Sequence, residues 1–227
     1  MDAVLEHGQF ILGPEVAELE KQLKDITGAK HCLTCASGST ALDLIMLAWQ
    51  FGPGDAVFTS PFTFAATAES IARTGATPIF VDIDPASFNI DAAQLAQAVG
   101  AVLSGDPTQY PLPAIAQKQK LRPRAVVTVD IFGHPADYDA IFTTAQKFDL
   151  LVLEDAAQSL GGTYRGKPLC GCGCDAAAAS FFPTKPLGCY GDGGAVFTDN
   201  DETAALVDSL RYHGRRDAQH KYDNVRL

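Results

Sequence analysis

No stretch of the 227 residues reaches the roughly 18 to 20 consecutive apolar positions that a membrane-spanning helix needs. The opening, Met1 to Phe10, carries Asp2 and Glu6 and no apolar run, so it does not read as a secretory leader, and the expected location is the cytoplasm. Basic residues are scarce: 17 Lys and Arg stand against 27 Asp and Glu, a net charge of −10. That balance argues against a nucleic-acid partner, whose phosphates demand a cationic face. It leaves open a phosphorylated small molecule, which needs only local donors. Cys32-Leu-Thr-Cys35 has no second pair at zinc-finger distance, and its strand-like run suggests buried thiols. Cys170-Gly-Cys-Gly-Cys174 has alternate spacing on a Gly-rich turn, which suits a soft metal. Reduced structural or surface thiols are the better reading in a cytosolic enzyme, and no metal site is assigned.

What is present is an ordinary globular composition, 47% hydrophobic and 19% charged, in a chain long enough to bury a core. Seven short apolar runs read as strands: His31 to Thr34, Ala56 to Thr59, Thr77 to Asp82, Ala125 to Asp130, Leu150 to Leu153, Ala177 to Phe182 and Ala195 to Thr198. Several are continuous rather than alternating, as in strands buried on both faces of a parallel sheet. Between them lie helical patterns at Glu15 to Ile26, Thr40 to Trp49, Phe64 to Arg73, Ala92 to Val99, Ala136 to Phe148 and Glu202 to Tyr212. The alternation predicts an α/β fold with a mainly parallel sheet and no repeat or linker. Gly100 to Arg124, with four of the 13 prolines, reads as an irregular surface excursion.

Lys185 is the most informative residue. It stands between two prolines in Ser180-Phe-Phe-Pro-Thr-Lys-Pro-Leu-Gly188, beside a Gly-rich run, on a backbone that is stiffened and then freed to turn. Glu154-Asp155-Ala-Ala-Gln158 follows an apolar strand. A lysine with an aspartate from another strand is what pyridoxal phosphate (PLP) chemistry requires: an amine for the Schiff base and a carboxylate that keeps the pyridine nitrogen protonated. Near such a pyridinium Asp155 stays ionised, and Gln158 can donate to the ring oxygen. Cys35-Ala-Ser-Gly-Ser-Thr-Ala-Leu42 opens a helix, and its amides make a phosphate seat with Gly38 for close approach and Ser39 and Thr40 as donors. Pro61-Phe-Thr-Phe-Ala-Ala-Thr67 offers an aromatic, Phe64, to stack on a flat ring. All these residues fall at the carboxyl ends of strands, where sheets of this class bind ligands. The five histidines are scattered and carry no role, His134 in Phe-Gly-His-Pro-Ala-Asp being a mild exception.

The chain resembles the DegT/StrS sugar aminotransferases of the fold-type I, aspartate aminotransferase-like group. The resemblance rests on Gly8 to Glu15, Ala36 to Leu42, Pro61 to Thr67, Glu154 to Ser159, Ser180 to Gly188 and Cys189 to Ala195. It implies a three-layer α/β/α PLP-binding large domain over residues 1–227 with a seven-stranded sheet. It also implies Lys185 as the Schiff-base residue, Asp155 on the pyridine nitrogen, Gln158 on the ring oxygen and Phe64 on the ring face. Ser39 and Thr40, on the Gly38 turn, and Ser180 would hold the phosphate. The implied reaction is transfer of an amino group, with glutamate as donor, to a nucleotide-linked keto-sugar in a homodimer. The wording around Lys185 resembles enzymes acting on UDP-linked 3-keto uronic acids.

In the family, the stretch corresponding to Tyr222 to Leu227 is followed by a Gly-x-Asn-x-Arg-Leu motif and a small C-terminal domain; Asn224 precedes that motif and is not its Asn. The chain is therefore expected to be a fragment. Two rivals remain. A dehydratase of the same family would usually carry His at position 185, and a non-catalytic regulator on this fold would have no use for Lys185 and Asp155.

Overall fold

A computed structural model describes residues 2–116 and 118–215. Helix α1 (Asp2–His7) precedes α2 (Pro14–Thr27), which starts on a proline and stops at Gly28 in the left-handed conformation, φ 74°. Then come β1 (His31–Cys35), α3 (Gly38–Ala48), β2 (Asp55–Thr59), α4 (Ala65–Arg73), β3 (Thr77–Phe80), α5 (Ala92–Ser104) and β4 (Arg122–Val129). A short 3-10 turn at Ile131–Gly133 leads to α6 (Tyr138–Phe148) and β5 (Leu151–Asp155). A small hairpin of β6 (Thr163–Tyr164) and β7 (Lys167–Pro168) follows, then β8 (Ala176–Ser180), β9 (Gly194–Thr198) and α7 (Asp201–Arg211). His220 and Asn224, with the rest of Tyr222 to Leu227, lie outside the described residues.

The seven main strands form one sheet in the order β1-β9-β8-β5-β4-β2-β3. Strand β9 runs against both neighbours, and the other pairings are parallel. Successive strand residues face opposite sides, so each strand serves two cores. Phe58 of β2, Val126 of β4 and Val152 of β5 pack with Leu95 and Val99 of α5 and Ile141 of α6. Their neighbours Val57, Val127 and Leu153 pack on the other side with Ile45 of α3, Ile71 of α4 and Val207 of α7. Helix α2 covers the β8–β9 end of the first side through Leu23. The expected three layers and seven strands are therefore present. Among the described residues no helix is long and apolar enough to cross a membrane.

The stretch Gly100 to Arg124 departs from expectation. Helix α5 runs through Gly100 to Ser104, because Ala101 and Val102 are buried in the same core as Leu95 and Val99. That burial outweighs the roughly 1 kcal/mol that a mid-helix glycine costs. Strand β4 likewise starts early, at Arg122, where the β2 register shifts between Ala56 and Val57 and so accommodates Pro123. The hairpin β6–β7 was not foreseen in the sequence.

Candidate active site

Four chain segments converge at the carboxyl edge of the sheet around a cavity of about 680 Å³. Gly38, Ser39, Phe64, Asp155, Gln158, Ser180 and Lys185 all line it. Seven of the eight residues singled out in the sequence thus meet at one place. The eighth, Thr40, does not reach the wall: its hydroxyl lies 3.0 Å from the Ser37 hydroxyl, and its amide donates to that same Ser37 Oγ at 3.0 Å. Thr40 therefore braces the helix cap, and Ser37, at the N-cap of α3, is the hydroxyl that lines the cavity. The Ser-x-x-Thr spacing of a capped helix start was the available signal.

The start of α3 is suited to an anion. Its first turn carries no acidic residue, and a helix cannot satisfy its own first amides. With Thr40 capped and the Ala41 amide bonded to Ser37 O, the amides of Gly38 and Ser39 are those left to a ligand. Position 38 must be glycine, because a Cβ there would sit 2.7 Å from Ser180 Cβ. Ser180 Oγ accepts from the Phe182 amide at 3.4 Å, so its own proton remains available to a ligand. Burial holds the neighbouring Cys35 thiol up to about 11, which keeps it neutral beside the seat.

Asp155 ends β5, only 6% exposed. One carboxylate oxygen accepts from the Thr67 hydroxyl at 2.8 Å and the other from the Ala157 amide at 3.2 Å. Thr67 is held in turn by the Thr63 hydroxyl at 2.8 Å. Thr67 was not identified from the sequence; it lay inside the aromatic motif read for Phe64. Burial pushes the Asp155 carboxyl above its ordinary range, against the opposite pull of Thr67, Ala157 and the charge of Lys185. A cationic ligand atom beside Asp155 would pull against burial and favour the ionised carboxylate.

Lys185 is half-buried on the loop between β8 and β9. The loop is pinned at its base by Phe181 N–H to Gly193 O at 2.7 Å and Cys189 N–H to Phe181 O at 2.8 Å. It folds so tightly that a Cβ on Gly188 would meet Pro183 O at 2.6 Å. Phe64, at the N-cap of α4, is 74% exposed on the cavity lip. His134 contributes its backbone carbonyl to Asn89, not a ring, to the structure.

Elsewhere the cysteines are free thiols. Cys32, Cys170 and Cys172 are buried while Cys35, Cys174 and Cys189 are half-buried.

The strand order with β9 alone reversed, and a lysine, an acid and an amide-lined turn at its carboxyl edge, define the large-domain fold of the fold-type I aminotransferases. The family model for the DegT/DnrJ/EryC1/StrS aminotransferase family matches residues 1–226, and the chain belongs to that family. It is 44% identical over 224 residues to the UDP-2-acetamido-2-deoxy-3-oxo-D-glucuronate aminotransferase of Pseudomonas aeruginosa, covering 99% of this chain and 56% of that protein. A DegT DnrJ EryC1 StrS aminotransferase from Brucella abortus superposes with TM-score 0.88 at 43% identity, over 100% of this chain and 56% of that one. NtdA from Bacillus subtilis with bound cofactor PMP superposes with TM-score 0.81 at 29% identity, over 100% of this chain and 46% of that one. The chain thus spans about half the length of the relatives it matches.

Proposed function

We propose that residues 1–227 form the cofactor-binding large domain of a PLP-dependent aminotransferase that converts a nucleotide-linked keto-sugar to an amino sugar. The observation that carries this reading is the meeting of Lys185, buried Asp155 and the uncompensated amide turn of α3 in one cavity. The donor set fits the cofactor: a cradle closed to any side chain at position 38, hydroxyls at Ser39 and Ser180, and a buried acid whose charge awaits a cation. When bound, pyridoxal phosphate supplies the electron sink that lets the bond to the donor's α-hydrogen break.

The chain's own residues do the rest. The Gly38 and Ser39 amides bind the phosphate at the positive end of α3. Asp155 holds the proton on the ring nitrogen and is itself held by Thr67. Gln158 would donate to the ring oxygen and Phe64 would cover one ring face; both line the cavity. Lys185 Nζ would hold the cofactor's aldehyde carbon and, as a free amine, would be the group that takes up and returns the substrate's proton. Two half-reactions through one site give ping-pong kinetics. Glutamate as donor and a UDP-linked 3-keto uronic acid as acceptor are the finer reading, the acceptor alone being supported by the Pseudomonas relative's name. A homodimer is supported by large apolar side chains left exposed, among them Phe10, Ile11 and Tyr190.

The test is borohydride reduction of the cofactor-loaded protein followed by peptide mapping, which should place the label on Lys185. A label on Lys167 or Lys147 refutes the assignment. Assay of the cofactor-loaded protein with glutamate against a panel of keto-sugar nucleotides identifies the acceptor. Failure with every acceptor, despite a label on Lys185, removes the sugar reading and leaves the cofactor reading standing.

A further inference from the structure

On the side of β5 opposite Asp155, Glu154 points into the core that α5 and α6 cover, fully buried. The loop joining the β6–β7 hairpin to β8 brings two thiols to it. Cys172 Sγ lies 3.7 Å from Glu154 Oε2, and Cys172 and Cys174 place their sulfurs 3.8 Å apart. One ligand atom from each of the three residues lies within 4.8 Å of the others. The intervening Gly173 has φ +112°, and a Cβ on Gly171 would fall 2.0 Å from Thr27 O. The loop path that gathers the thiols therefore depends on both glycines.

We propose that Glu154, Cys172 and Cys174 form a binding site for a thiophilic divalent cation, zinc(II) in the first instance. The spacing supports it. A tetrahedral zinc with bonds of about 2.3 Å to sulfur and about 2.0 Å to oxygen places two sulfurs about 3.8 Å apart and sulfur and oxygen about 3.5 Å apart. The two gaps made by Cys172 Sγ match these values to about 0.2 Å; Cys174 Sγ, within 4.8 Å of the Glu154 oxygen, has to move closer as the cation enters. The backing is in place as well. Both Glu154 oxygens accept from the Cys170 amide at 3.0 Å, so one can turn to the cation while the other keeps the bond, as a supporting donor to a ligating carboxylate does.

The neighbouring Asp130 carboxyl lies against Glu154. It is fixed by the Ala136 amide, the Tyr138 hydroxyl and the Ser159 hydroxyl, each at 2.9 Å. With the two thiolates balancing the dication, Asp130 stays tied to its own three donors and does not ligate. Cys174, half-buried, is the point of entry, and a water completes the fourth position. The two thiol protons leave to solvent as the thiolates bind; no electron transfer is involved.

Such a cation would tie the end of β5 to the loop that leads into β8, and those two strands carry Asp155 and Ser180. Its role is to hold those strand ends together, because Glu154 faces away from the cavity. The test uses the reduced, metal-stripped protein titrated first with cobalt(II) and then with zinc(II). One equivalent of cobalt should produce thiolate-to-cobalt charge-transfer absorption with the visible bands of a tetrahedral site, and zinc should abolish both. Cys172→Ser and Cys174→Ser should each remove the absorption, while Cys35→Ser and Cys189→Ser should retain it. Zinc at about a hundredfold excess over its Kd should raise the melting temperature of the unsubstituted protein by about 5 to 10 °C and leave that of Cys174→Ser unchanged. If Cys172→Ser fails to fold, the half-buried Cys174→Ser decides alone. No absorption at stoichiometric cobalt, or absorption that survives Cys174→Ser, overturns the proposal.

Discussion

Gly38→Ala isolates the close approach on which the phosphate seat depends. The added Cβ would stand 2.7 Å from Ser180 Cβ, 3.1 Å from Ser180 Cα and 3.2 Å from Ser180 Oγ. Carbon atoms in contact prefer about 3.5 to 4.0 Å, so the start of α3 and the end of β8 must separate by about 1 Å. Overpacking of this kind costs about 1 to 3 kcal/mol. The helix-propensity gain of Ala over Gly, about 0.5 to 1 kcal/mol, offsets only part of it. In a protein of this size each kcal/mol moves the melting temperature by about 2 to 4 °C, so a fall of several degrees is expected. The same displacement pulls the Gly38 and Ser39 amides from the phosphate. One lost hydrogen bond to a charged group, about 1.5 to 3 kcal/mol, weakens cofactor affinity by about 10- to 100-fold. Thermal melts of the cofactor-free protein and a PLP titration measure the two effects separately. Adding Ser180→Gly removes the clashing Cβ and should restore most of the melting temperature without restoring affinity, since the Ser180 hydroxyl is also lost. Unchanged stability and affinity in Gly38→Ala would refute the seat as described.

Burial raises Asp155 above its ordinary value of 3.8. The cofactor-free protein should therefore lose stability as pH rises from that value through the raised one, and Asp155→Asn should erase the loss. Urea midpoints of the two proteins should converge in acid and separate towards neutral pH, with the Asn form more stable; parallel midpoints would contradict the burial argument. If the proposed function holds, the same substitution in the cofactor-loaded protein should slow turnover by roughly 10²-fold or more, because a neutral amide cannot keep the ring nitrogen protonated. Thr67→Val removes a hydroxyl that pulls the Asp155 pKa down. The acid limb of the rate–pH profile should then move to higher pH, and Thr67→Ser should bring it back; a profile unmoved by Val would assign Thr67 to packing alone.

How much of this was readable in advance follows from where each interaction lives along the chain. Lys185, Asp155, Gly38 and Gln158 sit in short local patterns at strand ends, and the rule that ligands gather there brings them together without knowledge of side-chain contacts. Ser37 and Thr40 are three residues apart, and both hydroxyls suited an anion; only the cap geometry assigns one to the cavity and the other to the helix. The Thr67–Asp155 bond spans 88 residues of sequence, and no periodicity encodes such a pairing. The α5 helix passed through Gly100 because buried Ala101 and Val102 decide the matter, and burial is a tertiary property. The Cys170–Cys174 spacing was visible, yet the third ligand atom, from Glu154, comes from another strand.

Glu154 and Asp155 make the same point about energetics. They are neighbours at the end of one strand, both buried, and the alternation of the strand sends them to opposite faces. Burial pushes both carboxyls up, Glu154 with the added charge of Asp130 and Asp155 against the pull of its hydrogen bonds. A chain selected only for stability would place apolar residues at both positions, as it does at Val152 and Leu153 one step earlier. On the cavity face the cost makes sense if a cationic ring nitrogen arrives to offset it, so ligand binding and folding should be linked at Asp155. On the opposite face it is the gathering of two sulfurs at the Glu154 carboxylate, and not its titration, that carries the cation site proposed there.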